Sequence, residues 1–163
     1  KPLKTVKDIK IIKAVQRGIQ IYSLHTNCDK TVNGTSDLIA RRLNLKKTGK
    51  LNDFVRAGLA PHEMTLDELI SKVKLAFNTE RIKLINNPRK TVVKTIAVCA
   101  GAGAEIIPEV VKYHDALDSR RTAILDIGHF ESEKPFVEEI KRILEKEKFE
   151  VVVAHEKPAW VYV

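Results

Sequence analysis

The apolar run at residues 123–127, AILDI, stops at Gly128 and is followed by His129 and, four residues later, Glu133. A short aliphatic run that ends at a glycine and hands over to polar side chains leaves a chain few choices. It predicts a buried strand whose carboxyl end opens onto a site, which is where open α/β sheets bind their ligands. An earlier stretch repeats the pattern: residues 18–24, GIQIYSL, form a strand-like run that releases His25, and Asp29 again follows at a spacing of four. Two such ends can converge on one divalent ion, since imidazole nitrogen and carboxylate oxygen suit hard and borderline metals. A strand-end histidine near an acid can equally be a helix cap or a hydrogen-bonded pair.

The intervening segments alternate in period. Thr5 and Asp8 suit the start of a helix, with Val6, Ile9, Ile12, Val15 and Ile19 on one face and Gly18 ending it. Thr35 or Ser36 can cap a second helix with Asp37 in its first turn; it runs to Leu45, and KKTGK breaks it. Residues 50–64 suit a loop or short extended segments, with His62 as a surface histidine. Thr65 and Glu68 form a capping box for a third helix, whose stripe is Leu66, Leu69, Ile70, Val73 and Phe77. Residues 81–85 suit a short strand, and Asn87-Pro88-Arg89 a linker.

Residues 92–99, VVKTIAVC, are a β-branched strand that enters Gly101-Ala102-Gly103. That turn can cradle an anion on free N–H groups, or simply join strand to helix. Further on, Ser132 suits a helix cap, with Pro135 in the first turn. Val137, Ile140 and Ile143 or Leu144 form a buried stripe there, and Glu138 faces Arg142 as a surface pair. Residues 149–154 suit another strand. The order of segments is that of an α/β protein.

At 163 residues the chain can form one domain or two small interlocked lobes. Charged residues at 31% and a mean hydropathy of −0.19 place it among soluble globular proteins. No apolar run approaches the roughly 20 residues of a membrane helix, and KPLKTVKDIK lacks the apolar core of a signal peptide. Two cysteines, Cys28 and Cys99, make no disulfide framework; small buried thiols in a reducing, cytoplasmic setting are expected. The net charge of +8 favours polyanions such as nucleotides, phosphorylated substrates or nucleic acid, although a merely soluble surface has the same sign. Aromatic residues at 6%, with no helix-turn-helix or RNA-binding signature, weaken the nucleic-acid reading.

The words IYSLHTNCD, VCAGAG, KYHDALD and ILDIGHFESE together resemble the Nif-three-like family of dinuclear-metal hexameric proteins, often called GTP cyclohydrolase I type 2. The resemblance covers essentially the whole chain. It implies an α/β fold of two interlinked lobes, each of mixed sheet flanked by helices, over residues 1–90 and 91–163, the second carrying GHFESE. It further implies Asp29 as a metal-bridging carboxylate, with His129 and Glu133 as metal ligands, and two catalytic positions, His25 beside the metals and His114 near the mouth of the site. Two divalent ions per chain (Zn, Fe, Mn or Mg), a homohexamer and a nucleotide substrate such as GTP are the corresponding expectations. The alternative function is a nucleic-acid-binding or regulatory module with a structural metal. The family opens with a further unit ending in two adjacent histidines, and no His-His pair occurs in this sequence.

Overall fold

The computed structural model describes residues 6–85, 92–101, 103–106 and 122–155. In order these form α1 (Val6–Gln16), α2 (Thr26–Lys30), α3 (Thr35–Arg42), β1 (Lys46–Lys50), β2 (Val55–Thr65), α4 (Leu66–Phe77), β3 (Lys83–Ile85), β4 (Val92–Cys99), a 3₁₀ turn (Gly103–Ile106), β5 (Ile124–Asp126) and α5 (His129–Lys146). None of these helices is long and apolar enough to cross a membrane.

Strands β1, β2 and β4 make one sheet in that order, and β3 pairs with β5 in a second. Every ladder among the described residues is antiparallel, within the α/β arrangement of sheets and helices that was expected. Both sheets draw strands from either side of residue 90, so the two halves of the chain are interlinked by hydrogen bonding. In the longest ladder Val55 faces Cys99 and Gly58 faces Ile96, which sets the end of β4 beside the start of β2. Strand β1 occupies an outer edge; its lysines and a register irregularity between Lys46 and Gly49 discourage pairing with another chain.

The core lies where α3 and α4 meet this sheet. Ile39 and Ala40 of α3 and its C-cap Leu43 cluster with Met64, Val98 and the α4 residues Leu69, Val73 and Phe77. Burying each of the large side chains contributes about 1.5–3 kcal/mol. Helix α4 starts as its sequence dictates: Thr65 and Glu68 form the reciprocal capping box, and Asn78 ends it in the left-handed conformation. Ala100, Leu125 and Ile127 pack against the same cluster, so the ends of β4 and β5 are anchored to one core.

Several local expectations are corrected. The run at residues 19–24 forms no strand; Ile19, Ile21 and Tyr22 are exposed, because no neighbouring strand among the described residues takes up its hydrogen bonds. Ile9 and Val15, on the expected apolar face of α1, are exposed as well. KKTGK is strand β1 instead of a helix breaker alone, and of the loop or short extended segments expected over residues 50–64, residues 55–65 form one long strand. Gly34, not Thr35 or Ser36, is the cap of α3. Helix α5 begins at His129, so Ser132 lies inside it and Pro135 beyond its first turn. Of its expected stripe, Val137, Ile143 and Leu144 are exposed. Arg142 pairs with Glu139, while Glu138 reaches Arg42 and ties α5 to α3. Residues 149–154 form no strand. Asn87-Pro88-Arg89 and KYHDALD lie outside the described residues.

Candidate functional site

The second motif assembles within a single helix. Asp126 accepts a hydrogen bond from the Gly128 amide at 2.9 Å, closing the turn after β5. Gly128 takes a positive φ of 92°, which a glycine adopts without strain, and its carbonyl accepts the Ser132 amide to start α5. His129 and Glu133 then stand one helical turn apart on one face, with Nε2 and Oε1 separated by 2.8 Å. Both side chains are about half exposed, so a solute can reach them.

Against this pair lies Gly101, just beyond β4. Its φ of +69° suits glycine, and a Cβ there would come 2.9 Å from Glu133 Oε1 and 3.3 Å from His129 Nε2. The missing side chain therefore leaves a small cradle bounded by an imidazole nitrogen and a carboxylate oxygen. Those donors suit a borderline or hard divalent cation, and two of them converge on one point.

The first motif is held by other means. His25 precedes α2, is exposed, and turns to its neighbours: Nδ1 lies 3.0 Å from Thr26 Oγ1, and its amide donates to Asn27 Oδ1. Asp29, half-buried, accepts a 2.8 Å hydrogen bond on Oδ1 from the buried hydroxyl of Thr35. Gly34 makes this possible, because a Cβ there would overlap the carbonyl oxygen of Cys28. The loop is further clamped by Arg56, which donates from Nε to Asp37 at 2.6 Å and from Nη2 to the Thr31 carbonyl at 3.4 Å. Asp37 in turn accepts the Asn33 amide.

The end of β4 joins the two motifs. Ser36 Oγ accepts the Ala100 amide at 3.2 Å, and Ser132 Oγ accepts the Gly101 amide at 3.1 Å. Asp29 also acts electrostatically on Cys99: burial first, and then the nearby carboxylate, push that thiol above its usual pKa. The same two causes, in the same order, raise Cys28. Both cysteines are free thiols.

The structure thus brings His129 and Glu133 together and sets Asp29 within electrostatic reach of the same strand end. Among the described residues no three histidine, cysteine, aspartate or glutamate side chains gather closely enough to form a complete metal centre. His129 and Glu133 fit as two ligands, and Asp29 is engaged with Thr35 instead of closing on them. His114 lies outside the described residues. The sequence marks Gly101 as part of an anion cradle or a plain strand-to-helix turn, and Thr35 or Ser36, and Ser132, as caps; the contacts of Thr35 with Asp29 and of Gly101 with the His129–Glu133 pair are added by the structure. Only the place of Ser132 between His129 and Glu133 hints at a role in the sequence itself.

A profile described as Duf34/NIF3 (NGG1p interacting factor 3) matches residues 1–159. A GTP cyclohydrolase 1 type 2 homolog of Clostridium acetobutylicum is 30% identical, the match covering 89% of this chain and 64% of that protein. The chain thus spans somewhat less than two thirds of that relative. GTP cyclohydrolase 1 type 2 of Helicobacter pylori is 27% identical, with coverages of 96% and 70%. Among solved structures, Staphylococcus aureus protein SA1388 superposes with a TM-score of 0.78 at 16% identity, covering 99% of this chain and 76% of that one, which establishes the shared fold.

Proposed function

The chain belongs to the Duf34/NIF3 family, and from that premise we propose that it forms part of a divalent-metal-dependent hydrolase acting on a nucleotide such as GTP. The observation that carries the reading is the His129–Glu133 pair, 2.8 Å apart and facing the cradle left by Gly101. In this reading His129 and Glu133 would hold the cation, and Asp29, which accepts from Thr35 on one oxygen, would be a further ligand through the other. A divalent ion bound there would supply Lewis acidity, polarising a substrate oxygen. His25, exposed four residues before Asp29, is assigned to contact with substrate or water, as is His114. The net charge of +8 suits an anionic substrate, and relatives named GTP cyclohydrolase 1 type 2 make a purine nucleotide the first to try. Assembly into a homo-oligomer, a hexamer by family resemblance, belongs to the same proposal.

Elemental analysis of the purified full-length protein tests it. About two divalent ions per chain are expected, with most of that metal lost in His129→Ala and in Asp29→Asn and helix content unchanged. GTP turnover is expected to disappear on chelation and return with added metal. Metal content unaltered by both substitutions would overturn the assignment of the site, and turnover that survives chelation would overturn the mechanism.

A further inference from the structure

Ser36 and Ser132 are among the few buried polar residues described, 1% and 5% exposed. Each hydroxyl is used twice. Ser36 donates to the Phe54 carbonyl at 2.6 Å while accepting the Ala100 amide. Ser132 donates to the His129 carbonyl at 2.8 Å while accepting the Gly101 amide. The two accepted amides are consecutive, so one short length of backbone past β4 is fastened to α3 on one side and to α5 on the other.

The placement relative to the candidate ligands is specific. Ser36 follows Thr35, the residue that orients Asp29. Ser132 lies between His129 and Glu133 and binds the main chain of both His129 and Gly101, the two sides of the cradle. Each hydroxyl contributes to stability by satisfying a backbone amide, Ala100 for Ser36 and Gly101 for Ser132, but that role alone does not require the two amides to lie at the ends of the two candidate ligand groups. A helix can also start without Ser132, because Gly128 already closes its first turn. What the hydroxyls do is set the distance between backbones that carry different halves of the site.

We propose that Ser36 and Ser132 are positioning residues, holding Asp29 and the His129–Glu133 pair in register across the Ala100 and Gly101 amides. This rests on the metal reading above. Groups that orient ligands without touching the metal typically change affinity by about 10–100-fold when lost.

The test is Co²⁺ titration of the full-length protein, followed by the visible absorption of the bound ion, with thermal melting alongside. Ser132→Ala is expected to weaken Co²⁺ binding by about 10–100-fold and to alter its absorption bands. Ser132→Thr, which retains the hydroxyl, is expected to restore both, and Ser36→Ala to act in the same direction as Ser132→Ala. Where Ser132→Ala does not fold, Ser36→Ala carries the test from the other half. A lowered melting temperature with wild-type Co²⁺ affinity and spectrum would show a structural role only and overturn the proposal, leaving the metal centre standing. No Co²⁺ binding by the wild-type protein overturns the metal reading and this proposal together.

Discussion

The same spacing, histidine followed four residues later by a carboxylate, has two different outcomes in this molecule. At residues 129 and 133 both side chains lie on the long helix α5, and local geometry alone brings them to 2.8 Å. At residues 25 and 29 the histidine precedes a helix of only five residues, and the pair does not form. His25 bonds to Thr26 and Asn27, while Asp29 is captured by Thr35 from the next helix. One motif is built by its own segment and the other by its surroundings. Damage to distant residues should therefore harm the first half of the site more than the second.

The largest effect should come from Arg56. Its guanidinium is 6% exposed and pairs with Asp37 while holding the Thr31 carbonyl. Arg56→Ala leaves a mostly buried carboxylate without its partner, and about 3–5 kcal/mol should be lost in chemical denaturation. A loss under about 1 kcal/mol would mean that the first motif does not depend on this clamp.

Gly34→Ala comes next. The added Cβ meets the Cys28 carbonyl, which is backbone and cannot swing aside, so a cost of about 1–3 kcal/mol is expected. Wild-type stability in this variant would show that the α2 turn is free to move and that Asp29 is not held by close approach.

Gly101→Ala probes the second half directly. The left-handed φ costs about 1–2 kcal/mol for a residue with a Cβ, and the methyl crowds Glu133 and His129. Divalent-metal affinity should fall while the first half stays intact. An unaltered affinity would remove Gly101 from the site.

His129→Ala should barely change stability, by at most about 1 kcal/mol, because its bond to Glu133 is solvent-screened. Its effect should be confined to metal binding. A large loss of stability would mean that the pair holds the fold together instead of a ligand.

The smallest effect concerns Cys99, whose thiol is pushed up by burial and, secondarily, by Asp29. The raised pKa keeps the thiolate scarce, and it becomes available only as pH climbs past the ordinary thiol range. Asp29→Asn removes the secondary cause and should modestly speed alkylation of Cys99 at mildly alkaline pH. An identical rate in the variant would place Asp29 too far from the end of β4 to share a site with Gly101.

Elements whose signals are local could be read from the residues alone. The capping box of Thr65 and Glu68, the stripe of α4, the β-branched strand β4 and the one-turn spacing of His129 and Glu133 follow from periods and caps acting within a few residues. Strand-like residues 19–24 were equally apolar, yet a strand exists only where a neighbour accepts its hydrogen bonds, and the described residues supply none. KKTGK shows the reverse: a polar, breaker-like word becomes β1 because β2 lies beside it. Ser36 and Ser132 looked like caps because both tend to start helices. Tertiary folding decided otherwise, bringing two buried hydroxyls to the Ala100 and Gly101 amides from residues 64 and 31 positions away. Local chemistry thus determined which residues could serve as ligands. The approach of the backbone segments that carry them depended on closing long loops against a common core, and that free energy resides in no single segment.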